Sequence, residues 1–183
     1  MESRFRLQAL SRTDPLTQLS NRRAFDEFLS EVWQQSIRTS QSVGILVIDV
    51  DQFKSYNDRY GHPQGDEALK QLASVLRDVA SRSTDMCARV GGEEFVILMA
   101  ATDDEGSLQV AREVQKKLEE ERIEHQASAT GLLTVSIGIN NVVPDKNAAT
   151  ETFIEHADQA LYRAKDLGRN RIEITGSDGA QVN

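Results

Sequence analysis

Val43–Val50 is an apolar run rich in β-branched residues, interrupted at Asp49 and followed at once by a second acid, Asp51. Such a run is the pattern of a strand buried within a sheet, and the rest of the chain has to supply that sheet. Two carboxylates at the end of a buried strand are out of place unless they leave the sheet or bind something. With a side-chain period of two, Asp49 and Asp51 would share one face.

Elements of both kinds surround this strand. Arg23–Ile37 carries Ala24, Phe25, Phe28, Leu29 and Val32 at helical spacing, with Asn21 placed to cap it and Trp33 on its inner or rim face. Leu69, Leu72, Ala73, Leu76 and Val79 mark the inner stripe of a helix expected to begin near Gly65–Asp66. Met86–Val90 and Phe95–Met99 read as the strands of a hairpin around Gly91-Gly92-Glu93-Glu94. Ser107–Arg122 reads as a helix, Leu132–Asn140 as a strand, and Thr152–Leu167 as a helix ended by Gly168, with Arg171–Ile174 a last edge strand.

From Val43 onward the order is β-α-β-β-α-β, then a helix and a strand. That predicts an α+β fold with a ferredoxin-like core: a mainly antiparallel central sheet flanked by helices, which are expected on one face. The 183 residues fit a single domain, expected over residues 13–175. Met1–Arg12 reads as the end of a coupling helix from an upstream sensory or regulatory domain, and Gly176–Asn183 as a frayed tail.

Asp and Glu outnumber Lys and Arg by 29 to 21, for a formal charge of −8. That argues against broad nucleic-acid binding, which needs a basic surface. A nucleotide stays in play, because divalent metals bridge carboxylates to phosphates. No apolar run approaches the roughly 18 residues of a membrane span, and the start carries no signal-peptide core. No membrane contact and a cytoplasmic setting are therefore expected. The single cysteine, Cys87, excludes an internal disulfide framework and a Cys-rich zinc site, and reads as buried packing. His125 and His156 lack partner spacing and read as structural or solvated.

Four constellations carry candidate chemistry, and the residues alone leave a plainer alternative open for each. Asp49 and Asp51 suit a hard cation such as Mg²⁺, or else cap the turn after the strand. Gly91-Gly92-Glu93-Glu94-Phe95 offers two more acids beside glycines that permit positive φ and close approach of a ligand, or is an acidic hairpin turn. Asn57-Asp58 and Tyr60-Gly61-His62-Pro63-Gln64-Gly65-Asp66 read as a punctuated loop feeding a helix N-terminus. That loop suits an anion or a purine edge, or is made of turn and cap residues. Lys165 and Arg169 could clamp phosphates, or offset the C-terminal dipole of their helix.

Together these segments resemble the GGDEF-domain diguanylate cyclases. The likeness runs from Asp14-Pro15-Leu16-Thr17 through Asn21-Arg22-Arg23, Asp49–Lys54, Asn57-Asp58 and Gly61-His62-x-x-Gly65-Asp66. It continues through Gly91–Phe95, Ser136-Ile137-Gly138 and Ala157–Lys165 to Gly168-Arg169-Asn170. The resemblance implies that Asp49, Glu93 and the Val50 carbonyl bind metal, with Glu94 supporting the same site. Asn57 and Asp66 would read guanine, with His62 in the same GTP-contacting loop. Lys165 and Arg169 would hold the terminal phosphates, together with backbone N–H groups around Gln52, Phe53 and Lys54. The Phe53 and Phe95 rings read as core.

Two departures stand out. Glu93 replaces the Asp of the family's name, acid for acid, and Gln18 stands where a Gly is usual, at about 1 kcal/mol or more if the turn needs positive φ. Arg82-Ser83-Thr84-Asp85 resembles the family's inhibitory site for cyclic di-GMP, with Arg82 gripping guanine and Asp85 taking an N–H.

The implied activity is condensation of two GTP into cyclic di-GMP and two pyrophosphates, on two Mg²⁺ or Mn²⁺ ions per site, across a homodimer. Asp49, Glu93, Glu94 and Lys165 would carry the catalysis, and the product would inhibit at Arg82 and Asp85. A non-catalytic receptor for cyclic di-GMP is the alternative, disfavoured because the acids are all present. A cyclase or polymerase using another nucleotide is disfavoured by Asn57 and Asp66.

Overall fold

The computed structural model describes residues 11–176. The expected coupling helix, apart from Ser11 and Arg12, and the expected tail, apart from Gly176, lie outside the described residues. Ser11 and Arg12 are not helical. The elements run α1 (Arg22–Thr39), β1 (Val43–Val50), α2 (Phe53–Tyr60), α3 (His62–Val79), β2 (Asp85–Arg89), β3 (Glu94–Ala100), α4 (Asp104–Glu121), β4 (Val135–Val142), α5 (Thr150–Asp166) and β5 (Ile172–Ile174). The sheet order is β2-β3-β1-β4-β5. Neighbours are antiparallel except β4 and β5, which are parallel.

β1 is central and buried along its whole length. Its alternate residues serve two cores. Leu46, Ile48 and Val50 pack with Phe53 and Tyr56 of α2, with α3 through Leu69, Leu72 and Leu76, and with Val114 and Leu118 of α4. Val43, Ile45 and Val47 pack with Phe25, Leu29 and Trp33 of α1, and with Phe153, Ala157 and Leu161 of α5. The expectation of helices on one face therefore holds only for the ferredoxin-like unit. The helices before and after it close the second face, as a strand apolar on both sides requires. Each fully buried large side chain is worth about 1.5–3 kcal/mol.

Local chemistry explains the element ends. Asn21 caps α1, its side chain accepting from the Ala24 N–H. α4 starts at Asp104 because Asp103 caps it through Gly106. The stretch expected to be a loop before Gly65 is instead the short helix α2 followed, after Gly61 alone, by α3, which carries Pro63 in its first turn. Leu132 lies outside β4 and makes an isolated bridge with Glu124. Gly138 lets α5 lie directly on β4: a Cβ there would stand 2.8 Å from the Leu161 Cα and closer still to the Ala157 carbonyl. Among the described residues no helix is long and apolar enough to cross a membrane.

Candidate active site

The even rise of β1 puts Asp49 in the row of Val43, Ile45 and Val47, the face covered by α5. Lys165, near the end of α5, reaches it with Nζ 3.0 Å from Oδ2. In the antiparallel register of β1 and β3, Asp49 stands opposite Glu94, and the Val50 N–H donates to the Glu93 carbonyl at 3.2 Å. Like charges directly opposite in a sheet repel. Burial pushes the Asp49 carboxyl above its ordinary value, with Lys165 pulling against it and Asp51 adding to the rise. Burial, then Asp49 and Glu94, raise Glu93, again against Lys165. Burial, then Asp158 and Asp49, raise Glu94. Asp158 on α5 is itself raised by burial, with Arg22 at the start of α1 opposing. One end of the sheet thus gathers carboxylates from β1, the hairpin and α5 against too few cations.

The signature hairpin is held from behind. Arg89 donates to the Gly92 carbonyl through Nε at 3.0 Å and Nη2 at 2.8 Å, and Nη1 lies 3.3 Å from the Asp14 carboxylate. Asp14 accepts from the Thr17 N–H and hydroxyl at 2.8 and 2.7 Å. Burial alone would raise Asp14, but these bonds and Arg89 outweigh it, and its carboxyl sits below the ordinary value. Gln18 in this turn has φ of 61°, so the left-handed strain expected there is present. Gly91 and Gly92 are not at positive φ, contrary to the expected use of their freedom. Gly92 instead leaves open space where a side chain would stand, which suits close approach of a ligand.

The N-terminus of α2 follows the strand directly. Gln52 precedes it at φ 52° and makes no side-chain cap, so the first-turn amides, Phe53 and Lys54 among them, have no acceptor from that side chain. The Phe53 ring is core, as expected, and Lys54 is exposed. Asn57 on α2 packs over Gly65 on α3. Its Oδ1 is buried without a hydrogen-bond partner, while the residue as a whole is only half-buried. A buried amide oxygen left unsatisfied calls for an explanation beyond packing. His62 and Asp66 are exposed on the same helix start. Lys165 and Arg169 flank the end of α5, and the Arg169 charge adds the smallest share to the pull against the rise of the Asp49 carboxyl.

Arg82 and Asp85 lie at the far end of β2. The Asp85 side chain is 4% exposed and engages Arg82 by Nη2 at 2.8 Å and Nε at 3.1 Å, while Nη2 also donates to Thr102 Oγ1 at 2.7 Å. The ion pair orients a half-exposed guanidinium.

Three residues to which the family resemblance gives no role matter here. Arg89 is a lone cation between apolar neighbours in a strand, which is the signal that could have found it. His125 is fully buried, with Nε2 3.3 Å from the Gln52 carbonyl and its ring edge-on to Tyr56, so it supports the loop before α2 from beneath. Asp51 is buried and hydrogen-bonded away from Lys165. Cys87 donates to the Leu76 carbonyl, and burial pushes its thiol up to about 12, leaving it inert.

Asp49 and Glu93 fit a hard divalent cation: both are oxygen donors held close under mutual repulsion. Among the described residues no three ligating side chains form a ready-made cage, which agrees with Mg²⁺ taking one or two carboxylates and completing its shell from phosphate and water.

Comparison with known proteins places this geometry. Residues 11–171 match the sequence profile of the diguanylate cyclase GGDEF domain. A probable diguanylate cyclase of Escherichia coli K12, DgcC, is 35% identical over 173 residues, 94% of this chain and 46% of that protein. The chain thus spans about half the length of that relative. Among solved structures, the GGDEF domain of DgcB from Caulobacter crescentus in complex with c-di-GMP superposes with a TM-score of 0.81 at 31% identity, covering 90% of this chain and 95% of that one. The active GGEEF domain of a diguanylate cyclase from Vibrio cholerae does so at 0.78 and 32%, over 88% and 100%. The chain belongs to the diguanylate cyclase GGDEF-domain family.

Proposed function

We propose that this domain condenses two GTP molecules into cyclic di-GMP, releasing two pyrophosphates. The observation that carries the reading is the register of Asp49 against Glu94 with Glu93 beside them and Lys165 on Asp49. Carboxylates placed so, at a raised electrostatic cost, suit a site completed by cations and phosphates. The relatives named as diguanylate cyclases, and the neighbour solved with c-di-GMP, point to the same product.

Each domain would hold one GTP. Asn57 and Asp66 would take the guanine edge, Asp66 accepting from N1–H and the 2-amino group. The α2 amides, Lys165 and Arg169 would hold the phosphates. Asp49, Glu93 and the Val50 carbonyl would hold two Mg²⁺ or Mn²⁺ ions, which supply neutralisation of phosphate charge and a more acidic 3′-hydroxyl. A second copy facing the first brings each 3′-oxygen to the other's α-phosphorus. Two P–O bonds form, two to pyrophosphate break, and two protons leave. The protein's share is orientation and a fixed electrostatic frame. Arg82, oriented by Asp85, would grip a guanine of the product and restrain the hairpin through β2.

The test is product formation from GTP and Mg²⁺, followed by chromatography and mass, with Glu93→Ala alongside. Cyclic di-GMP from the wild type alone, at a rate rising faster than linearly with protein, is expected. No product, with cyclic di-GMP still bound and lost in Arg82→Ala, would replace the enzyme with a receptor.

A further inference from the structure

Asp51 is the acid at this strand end that the proposed reaction leaves without a task. It is 5% exposed. Its carboxylate accepts from Ser136 Oγ at 2.6 Å, Thr134 Oγ1 at 2.7 Å and the Asn170 backbone N–H at 2.9 Å. With those bonds made, its charge is absorbed inside the protein rather than offered to a cation.

The bond to Asn170 reaches into an unusual turn. Gly168, Arg169 and Asn170 are consecutive residues at φ of 119°, 64° and 46°. Left-handed backbone is unfavourable for a residue such as Arg, and a run of it persists only where the surroundings over-determine it. From the helix side the turn is tied by the Arg169 N–H to the Ala164 carbonyl at 2.9 Å. From the sheet side it is tied by Asp51, the residue just past β1 and two positions from Asp49.

We propose that Asp51 is a positioning residue: it pins the Gly168–Asn170 turn to the end of β1 and so sets where Arg169 stands relative to Asp49. The inference rests on Arg169 holding GTP phosphates, as proposed above. It separates two acids that the strand pattern presents as equivalents, giving one to ligand binding and the other to the frame.

Asparagine can keep this arrangement. Its amide oxygen, in the place of Oδ2, can accept from both Asn170 and Thr134, and its NH₂ can donate to the Ser136 hydroxyl, which can turn to accept. Alanine cannot. The readouts are calorimetric affinity for the non-reacting analogue α,β-methylene-GTP with Mg²⁺, and the ¹⁵N–¹H shift of the Asn170 amide. Asp51→Asn should bind within about threefold of wild type and keep that amide hydrogen-bonded. Asp51→Ala should bind about 10- to 100-fold more weakly, the scale of a lost charge-assisted contact, and release the amide. In an Arg169→Ala background Asp51→Ala should add less than about twofold, because both changes remove one interaction. Melting curves check folding, and Asp51→Ser, polar but short of Asn170, replaces Asp51→Ala if that variant fails to fold.

Asp51→Asn as weak as Asp49→Asn would make Asp51 a ligand and overturn the proposal. So would unchanged binding in Asp51→Ala, or an effect undiminished without Arg169. A wild type that binds the analogue but makes no cyclic di-GMP would sink the enzyme reading and leave this one standing. A wild type that binds no analogue overturns both.

Discussion

Gly65→Ala should separate stability from substrate recognition. Gly65 lies in α3 at an ordinary φ, its N–H already bonded to the Gly61 carbonyl at 3.0 Å. Alanine there gains about 0.8–1 kcal/mol of helix propensity. The new methyl would stand 3.0 Å from the Asn57 Cγ and 3.3 Å from the Phe53 Cζ, and would overlap the Asn57 Oδ1. Carbon atoms pack at about 3.5–4.0 Å, so the Asn57 Cγ must retreat by roughly half an ångström to an ångström, and the overlapped Oδ1 by more than that. That oxygen has no hydrogen bond to lose, so the retreat costs little folding energy. The melting temperature should stay within about 2–4 °C of wild type, the span of 1 kcal/mol in a chain of this size. Recognition should suffer far more, since a displacement of about 1 Å can cost on the order of 10²-fold. The KM for GTP should rise about 10- to 100-fold, and Asn57→Ala should show the same loss, with Gly65→Ala adding almost nothing to it. Steady-state kinetics beside melting curves decide the matter. A lower melting point with an unchanged KM would refute the assignment of Asn57 to the base.

Gln18→Gly should stabilise the domain by about 0.5–1 kcal/mol, because relief of the left-handed strain at φ 61° exceeds the lost Nε2 bond to the Pro15 carbonyl and the added chain entropy; denaturant unfolding measures it, and a lower midpoint counts against it. Gly138→Ala should cost about 1–3 kcal/mol or more, since backbone of α5 blocks the methyl. Turnover should fall beyond that loss as Lys165 is levered from Asp49. Asp49, Glu93, Glu94 and Asp158 are all raised, chiefly by burial. Raised acids bind protons more tightly folded than unfolded, so stability without metal should fall as pH climbs from their ordinary values of 3.8 and 4.5 through the raised ones. Asp14, lowered, acts with the opposite sign and below 3.8. Added Mg²⁺ should recover more stability toward the top of that window, and Glu93→Gln should flatten the slope. Melting curves from pH 4 to 7 that rise throughout without metal would contradict this.

Much of this was legible because it is written in local patterns. β1 declares itself as a run apolar up to Asp49, and the stripe of α1 and its Asn21 cap are both local signals. The hairpin shows as glycines and acids between short apolar segments. What escaped depends on tertiary partners. α2 is a short helix whose polar composition masks an inner edge of Phe53 and Tyr56. The second layer of helices follows from β1 feeding two cores, a point implicit in the apolarity of both its faces up to Ile48 but obscured by the ferredoxin-like order. Asp49 and Asp51 share a face by periodicity. Only Lys165 on one, and Ser136, Thr134 and Asn170 on the other, distinguish them.

That distinction bears on how the site came to be where it is. A sheet end is where apolar cover runs out, so it is the cheapest place in a buried strand to put a carboxylate. Asp51 takes the full set of hydrogen bonds that burial demands. Asp49 does not: it has one lysine, faces Glu94 and lies beside Glu93. A protein selected only for stability would not keep acids opposed across a ladder when a single neutral substitution relieves the repulsion. The under-compensated acids stand at the strand end that leads into α2, and the unsatisfied Asn57 oxygen belongs to α2 itself. The first group calls for positive charge, the helix end for negative, and the amide for a polar edge. A metal-bound guanine nucleotide is a single ligand that supplies all three.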